Sequence, residues 1–125
     1  MSIPVDLAAL GEALQRHHTA YLLTGGGDRP HVAELFPLPR LEDGILVVAQ
    51  PGRTAQRVLS EHPGVTVIMP PTEEGGYTLV VDGDGRVTDS GELRVLPYHA
   101  VLHRASGRGT PADSDCGNDC KPLDG

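Results

Sequence analysis

The sequence contains no tryptophan, one phenylalanine (Phe36) and two cysteines, and of its ten basic residues only Lys121 is a lysine. Each shortage excludes something. Without large aromatics, any core has to be built from Val, Leu, Ile and Ala. The two cysteines, Cys116 and Cys120, both fall near the C-terminal end, so no disulfide framework runs through the chain. Positive charge is also in short supply: 17 acidic against 10 basic side chains give a formal net charge of -7. Binding to nucleic acid or to anionic membranes relies on a basic surface, and neither is expected here.

Long apolar runs are missing too. No window approaches the ~18 residues of a membrane span. The opening "MSIPVDLAALGEALQRHH" lacks a basic leader and carries Asp6 and Glu12 within its apolar stretch, so a signal peptide is not expected. The expectation is a cytoplasmic protein. Familiar catalytic motifs are absent as well. "TGGGDR" lacks the Lys-Ser/Thr ending of a phosphate-binding loop and precedes a strand rather than a helix. There is no G-x-S-x-G elbow, and Ser60, Ser90 and Ser106 lack activating neighbours.

What is present is a succession of short periodic segments. Leu7, Leu10 and Leu14 recur at helical spacing, with Glu12, Gln15 and Arg16 off that face, which predicts a helix from about Pro4 to His17. "TAYLLT" (19–24) reads as a strand closed by a turn at "GGGDRP". "HVAELF" (31–36) alternates as a half-buried antiparallel strand does, and Pro37 and Pro39 stop it or place it on an edge. "ILVVA" (45–49) and "VTVIM" (65–69) are apolar and rich in β-branched residues, as buried strands are. Between them a helix is expected from Thr54, with Ala55, Val58 and Leu59 on one side and a stop at Pro63-Gly64. "YTLVV" (77–81) is another strand. "VVDGDGRV" predicts a hairpin turn at Gly83-Asp84, and "TDSGEL" a second turn around Ser90-Gly91. "LRVLP" and "YHAVLHR" complete the β region, interrupted at Pro97.

The length fits one domain, placed at residues 1–104, followed by a Gly/Pro/Ser/Asp-rich flexible tail at 105–125 that carries the cysteine pair. Many short strands with two helices make the fold mainly β, a compact barrel with helices attached.

Three groups of residues invite chemistry. Arg53, Thr54 and Arg57 gather at the start of the second helix, where the macrodipole repels cations. Either Thr54 is an ordinary N-cap and the arginines are solvated, or an anion is held there. His17 and His18 end the first helix, where positive charge is favoured; His99 and His103 share one face of a strand but would need further ligands to hold a metal. "DGDG" (82–85) resembles a calcium loop without its closing Glu, and reads as a turn or irregular strand. The C-x3-C pair leaves a local disulfide, free thiols or a site shared between two copies open. Asp113, Asp115 and Asp119 disfavour the thiolate. No metal site is assigned.

From about Ala9 to Arg104 the chain resembles the pyridoxamine 5'-phosphate oxidase-like family. The likeness is carried by "AYLLTGGGDRPHVAEL", "GILVVAQPGRTAQRVLSEHPGVTVIMPP", "GGYTLVVDGDGRV" and "LRVLPYHAVLHR". The resemblance implies a split β-barrel that binds a flavin (FMN) or a deazaflavin (F420), usually as a homodimer with the cofactor in a groove between subunits. The segment at Arg53-Thr54 resembles the family's phosphate clamp. With it the resemblance implies Arg57, His31 and Gln50 as cofactor-binding residues. Arg57 would reach the phosphate by folding back along the helix. One departure bears on the cofactor. Members that hold FMN firmly carry a basic residue and neighbouring donors on the second strand, whereas "HVAELF" offers His31 and Glu34. This leaves FMN, F420 or no cofactor open. The function implied is an FMN- or F420-dependent oxidoreductase acting on a small molecule. The alternatives are a non-catalytic cofactor-binding or sensing protein, and a haem- or metal-binding relative using His99 and His103. Catalytic residues are not named, because in such a site the cofactor carries the redox chemistry.

Overall fold

A computed structural model of the chain describes residues 1–25 and 29–105. Its strands are β1 (Ser2–Pro4), β2 (Tyr21–Thr24), β3 (His31–Glu34), β4 (Arg40–Glu42), β5 (Ile45–Val48), β6 (Gly64–Met69), β7 (Thr78–Val87) and β8 (Leu93–His103). Two helices join them, α1 (Leu10–Gln15) and α2 (Arg53–Leu59), with a short 3-10 turn at Leu7–Ala9. All pairings are antiparallel, in the order β3-β2-β6-β7-β8-β5-β4. β8 is long enough to hold β5 along its first residues and β1 along its last.

β6 and β7 show why these segments are strands. Their burial alternates residue by residue, with Val65, Val67, Met69, Leu79 and Val81 turned inward. The inward side chains meet Leu22, Leu46, Val48, Leu93 and Val95, and are closed over by Leu10 and Leu14 of α1 and Ala55 and Leu59 of α2. Each buried Val or Leu contributes about 1.5–3 kcal/mol, so aliphatic side chains alone sustain the core. Phe36, the one phenylalanine, takes no part in it and is 83% exposed.

Several expectations are corrected. The helix predicted from Pro4 to His17 is confined to Leu10–Gln15. Residues 2–4 form β1 because β8 runs on to His103 and offers an edge: Ser2, Ile3 and Pro4 pair with His103, Leu102 and Val101. Asp6 then caps the 3-10 turn by accepting from the Ala8 amide at 3.1 Å. The hairpin turn at Gly83-Asp84 does not form, and β7 runs straight through it. The register slips instead: Asp82 faces His99 and Gly83 faces Pro97, leaving Tyr98 as the extra residue of a β-bulge. Pro97 does not end β8, since its missing N–H falls beside this irregularity. β4 was not expected; it pairs with β5 across Asp43-Gly44, whose φ angles of 53° and 79° suit a tight hairpin turn. The turn around Ser90-Gly91 does form, closed by the Thr88 amide on the Glu92 carbonyl at 2.8 Å. The expected tail lies, from residue 106 on, outside the described residues, and Cys116 and Cys120 with it.

The path of paired strands ends at β3 and β4, and β1, paired only with β8, is a third short edge among the described residues. Residues 35–39 link β3 and β4, with Leu35 and Pro39 buried, and α1 packs beside β4.

Candidate functional site

α2 begins one residue earlier than its sequence suggests. Its N-cap is Gly52, at φ +92°, so Arg53 is the first helical residue and Thr54 is not the cap. Glycine has no side chain to cap with, and no side-chain cap bond forms. Gln56 is the first helical residue whose amide reaches back, to the Gly52 carbonyl at 3.1 Å. The amides of Arg53, Thr54 and Ala55 precede it and have no acceptor within the helix. Arg53 and Arg57 are exposed, Thr54 is half-buried, and Gln50 is exposed just before the buried Pro51. Among the described residues neither Arg53 nor Arg57 has a carboxylate within 4.0 Å.

The helix is held from below and from one end. Ala55 and Leu59 are buried, and α2 packs against β2 and β7. The Gln56 side-chain amide donates to the Gly91 carbonyl in the β7–β8 turn at 3.0 Å. Gly91 sits at φ +89°, and a Cβ there would come within 3.1 Å of that amide nitrogen, so both conformation and space favour glycine. Gln56 therefore fixes where the arginine-led turn sits. Sequence reasoning missed it because its partner is 35 residues away and no local pattern announces the contact.

His31 stands apart from this group. It opens β3 opposite Thr24, half-buried, and among the described residues no hydrogen bond or ion pair joins it to Gln50, Arg53, Thr54 or Arg57. Thr24 is buried with its hydroxyl unpartnered among those residues. Glu34 is exposed and three residues on from His31, so it projects from the opposite face of β3. The carboxylate thus does not share a face with His31.

Three of the other histidines, His17, His99 and His103, have structural partners. His17, 6% exposed, places Nδ1 at 2.9 Å from the Ala13 carbonyl at the end of α1 and Nε2 at 3.2 Å from the Tyr77 carbonyl. His99 Nδ1 lies 3.2 Å from Asp82, whose other oxygen accepts from the Thr66 hydroxyl at 2.6 Å. His103 pairs with the Ser2 hydroxyl at 3.0 Å. Among the described residues no three potential metal ligands gather, so His99 and His103 gain no third partner.

A ring of charge lies on the outer side of β4 and β8. Arg40 meets Glu42 at 2.5 Å and Glu92 at 3.6 Å, and Arg94 meets Glu92 at 3.6 Å and Glu42 at 3.8 Å. The hydrogen bond that Arg40 donates to Glu42 raises its guanidinium above the ordinary arginine value. A cleft of about 720 Å³ opens beside Arg94, and another of about 610 Å³ lies between α1 and the β3–β4 link. Neither is lined by Gln50, Arg53, Thr54, Arg57 or His31.

Comparison with known proteins bears on the fold. No family model matches the sequence. The architecture matches a provisionally assigned pyridoxamine 5'-phosphate oxidase of Listeria innocua (TM-score 0.65, 12% identity, 79% of this chain and 98% of the other). It also matches an FAD-binding protein of Mycobacterium smegmatis (TM-score 0.60, 14% identity, 81% and 97%) and an F420 reductase (TM-score 0.51, 15% identity, 75% and 93%). The chain thus shares the split β-barrel fold of these pyridoxamine 5'-phosphate oxidase-like proteins. By sequence, the chain belongs to one family with uncharacterised proteins of Mycobacterium bovis and Mycobacterium tuberculosis. It is 36% identical to each over 132 aligned residues, covering 93% of this chain and 92% of theirs. Among the described residues no helix is long and apolar enough to cross a membrane.

Proposed function

We propose that this chain binds a flavin or deazaflavin, FMN or F420, and acts as an oxidoreductase on a small molecule. The reading rests on the arginine-led, uncapped turn Gly52–Arg53–Thr54, carried by a fold shared with an FAD-binding protein and an F420 reductase. The residues fit the phosphate end of such a cofactor. Arg53 offers a planar guanidinium with no carboxylate competitor within 4.0 Å among the described residues, and Thr54 offers a hydroxyl. Amides at the turn add donors. Gln50 and Arg57 flank the same turn. His31 sits on β3, and the Thr24 hydroxyl, unpartnered among the described residues, sits on β2, a strand against which α2 packs. The bound cofactor supplies electron or hydride transfer, while the chain binds and orients it.

The second part of the proposal is a homodimer. Tyr21, Ile68, Val80 and Val101 lie in register across the outer face of β2, β6, β7 and β8, with Leu23 and Val32 in the next row. Val32 is 56% exposed, and an apolar face of this kind suits a second copy.

The test is equilibrium binding of FMN and of F420 to cofactor-stripped protein, read by fluorescence, with Arg53→Ala beside the wild type. One cofactor should bind, and the substitution should weaken it by about 1.5–3 kcal/mol, the worth of a charged hydrogen bond. Failure of both cofactors to bind would overturn the reading, and unchanged affinity in Arg53→Ala would remove that residue from the site. Binding without turnover of the reduced cofactor would leave a sensing or carrier protein in place of an enzyme.

A further inference from the structure

We propose that the outer face of β5, β7 and β8 carries a second binding site, for a small organic monoanion with an apolar body. The starting observation is an unfavourable pairing. Arg86 of β7 and Arg94 of β8 are direct register partners, and both are exposed. Like charges directly opposite each other on one face destabilise a sheet.

Carboxylates stand close to only one member of the pair. Arg86 has none within 4.0 Å among the described residues, although Asp84 and Asp89 line the same cleft. Arg94 approaches Glu92 and Glu42 at 3.6 and 3.8 Å, beyond hydrogen-bond range. Arg86 therefore stands without an ion pair among the described residues, beside Arg94, whose two carboxylate contacts are longer than hydrogen bonds. The planar forks of the two guanidiniums match a carboxylate or phosphate.

The surroundings define the rest of the ligand. The cleft over these arginines measures about 720 Å³, the size of a small-molecule site. Ile45, Val87 and Leu96 line it, and Leu96 is 59% exposed. That is apolar surface for a ring or a short chain. Asp84 and Asp89 repel a second negative charge and can accept from a hydroxyl or amine, so a monoanion suits the cleft better than a polyanion. None of Gln50, Arg53, Thr54, Arg57 and His31 lines it, so it is distinct from the proposed cofactor turn.

Benzoate is the probe, followed on the full chain by amide chemical shifts, with benzyl alcohol and inorganic phosphate as its neutral and body-less counterparts. Saturable shifts at Ile45, Arg86, Arg94 and Leu96 are expected with benzoate, and at least about tenfold weaker binding of the other two. Arg86→Gln, at an exposed position, should weaken benzoate about tenfold or more. Leu96→Ala should weaken benzoate and leave phosphate unchanged. The proposal falls if benzoate gives no saturable shift at millimolar concentration, if either substitution leaves its affinity unaltered, or if FMN displaces it. Shifts centred on Arg53 instead would also overturn it, because they would assign the anion to the start of α2.

Discussion

Along β7, Leu79, Val81, Gly83 and Gly85 turn toward the barrel interior, while Val80, Asp82, Asp84 and Arg86 turn outward. The inner side is filled to contact. A Cβ on Gly83 would lie 2.5 Å from the Leu96 carbonyl oxygen, and one on Gly85 would lie 2.9 Å from Leu93 Cδ1. The outer side is half-covered, with apolar residues at one end and charged residues at the other. Inside, volume decides what a residue can be; outside, the choice depends on what comes to lie against it. Substitutions on the two sides should therefore fail in different assays.

The largest effect is expected from Gly83→Ala. The obstacle is backbone, which cannot swing aside, so the loss should be about 3 kcal/mol or more in a denaturant titration. Gly85→Ala meets a side-chain methyl that can rotate, and about 1–3 kcal/mol is expected. An unchanged midpoint for Gly83→Ala would show that the inner side is not as crowded as its geometry states. On the outer side, Ile68→Asp should keep the monomer folded and reduce the light-scattering mass to that of one chain. Loss of the fold itself would mean that the outer row is core rather than interface. Gln56→Ala bridges the comparison, since it loosens α2 from the β7–β8 turn. It should cost about 1 kcal/mol, measured by thermal unfolding.

The smallest effect belongs to the exposed ring of Arg40, Glu42, Arg94 and Glu92. Such solvent-exposed pairs contribute little to stability and weaken with salt. Arg40→Ala should scarcely move the midpoint, and less still at high ionic strength. The sign with pH follows from the bond to Glu42. A raised guanidinium contributes stability below its unfolded value and loses it only as pH climbs through the folded one. Arg40 should therefore produce no stability change between about pH 5 and 9.

These contrasts also explain which parts of the molecule were legible in the sequence. β6 and α2 were, because the alternation of "VTVIM" and the spacing of Ala55, Val58 and Leu59 are local signals. β1 and β4 were not. Each has three residues, too few to show a period, and each exists because a neighbouring strand offers an edge. The Asp-Gly at 43–44 was the one available hint for β4. "DGDG" misled because its composition is that of a turn, whereas its glycines answer to crowding from β8 and β6. At the candidate site, Arg53 and Thr54 stood out through their place at a helix start. Their anchor Gln56 did not, because its partner Gly91 is distant in the chain. The separation of His31 from Glu34 could have been read from their odd spacing on a strand.

The shortness of the sheet's edge strands, β1 with its Pro4 among them, carries a consequence for behaviour at high concentration. β3 has four residues and β4 three, and the link between them holds Pro37 and Pro39, which have no amide hydrogen to offer an incoming strand. Short, proline-guarded edges are poor templates for adding another chain's strand. The barrel is thereby steered away from fibril-like growth, and copies of this chain that associate will do so by stacking their faces.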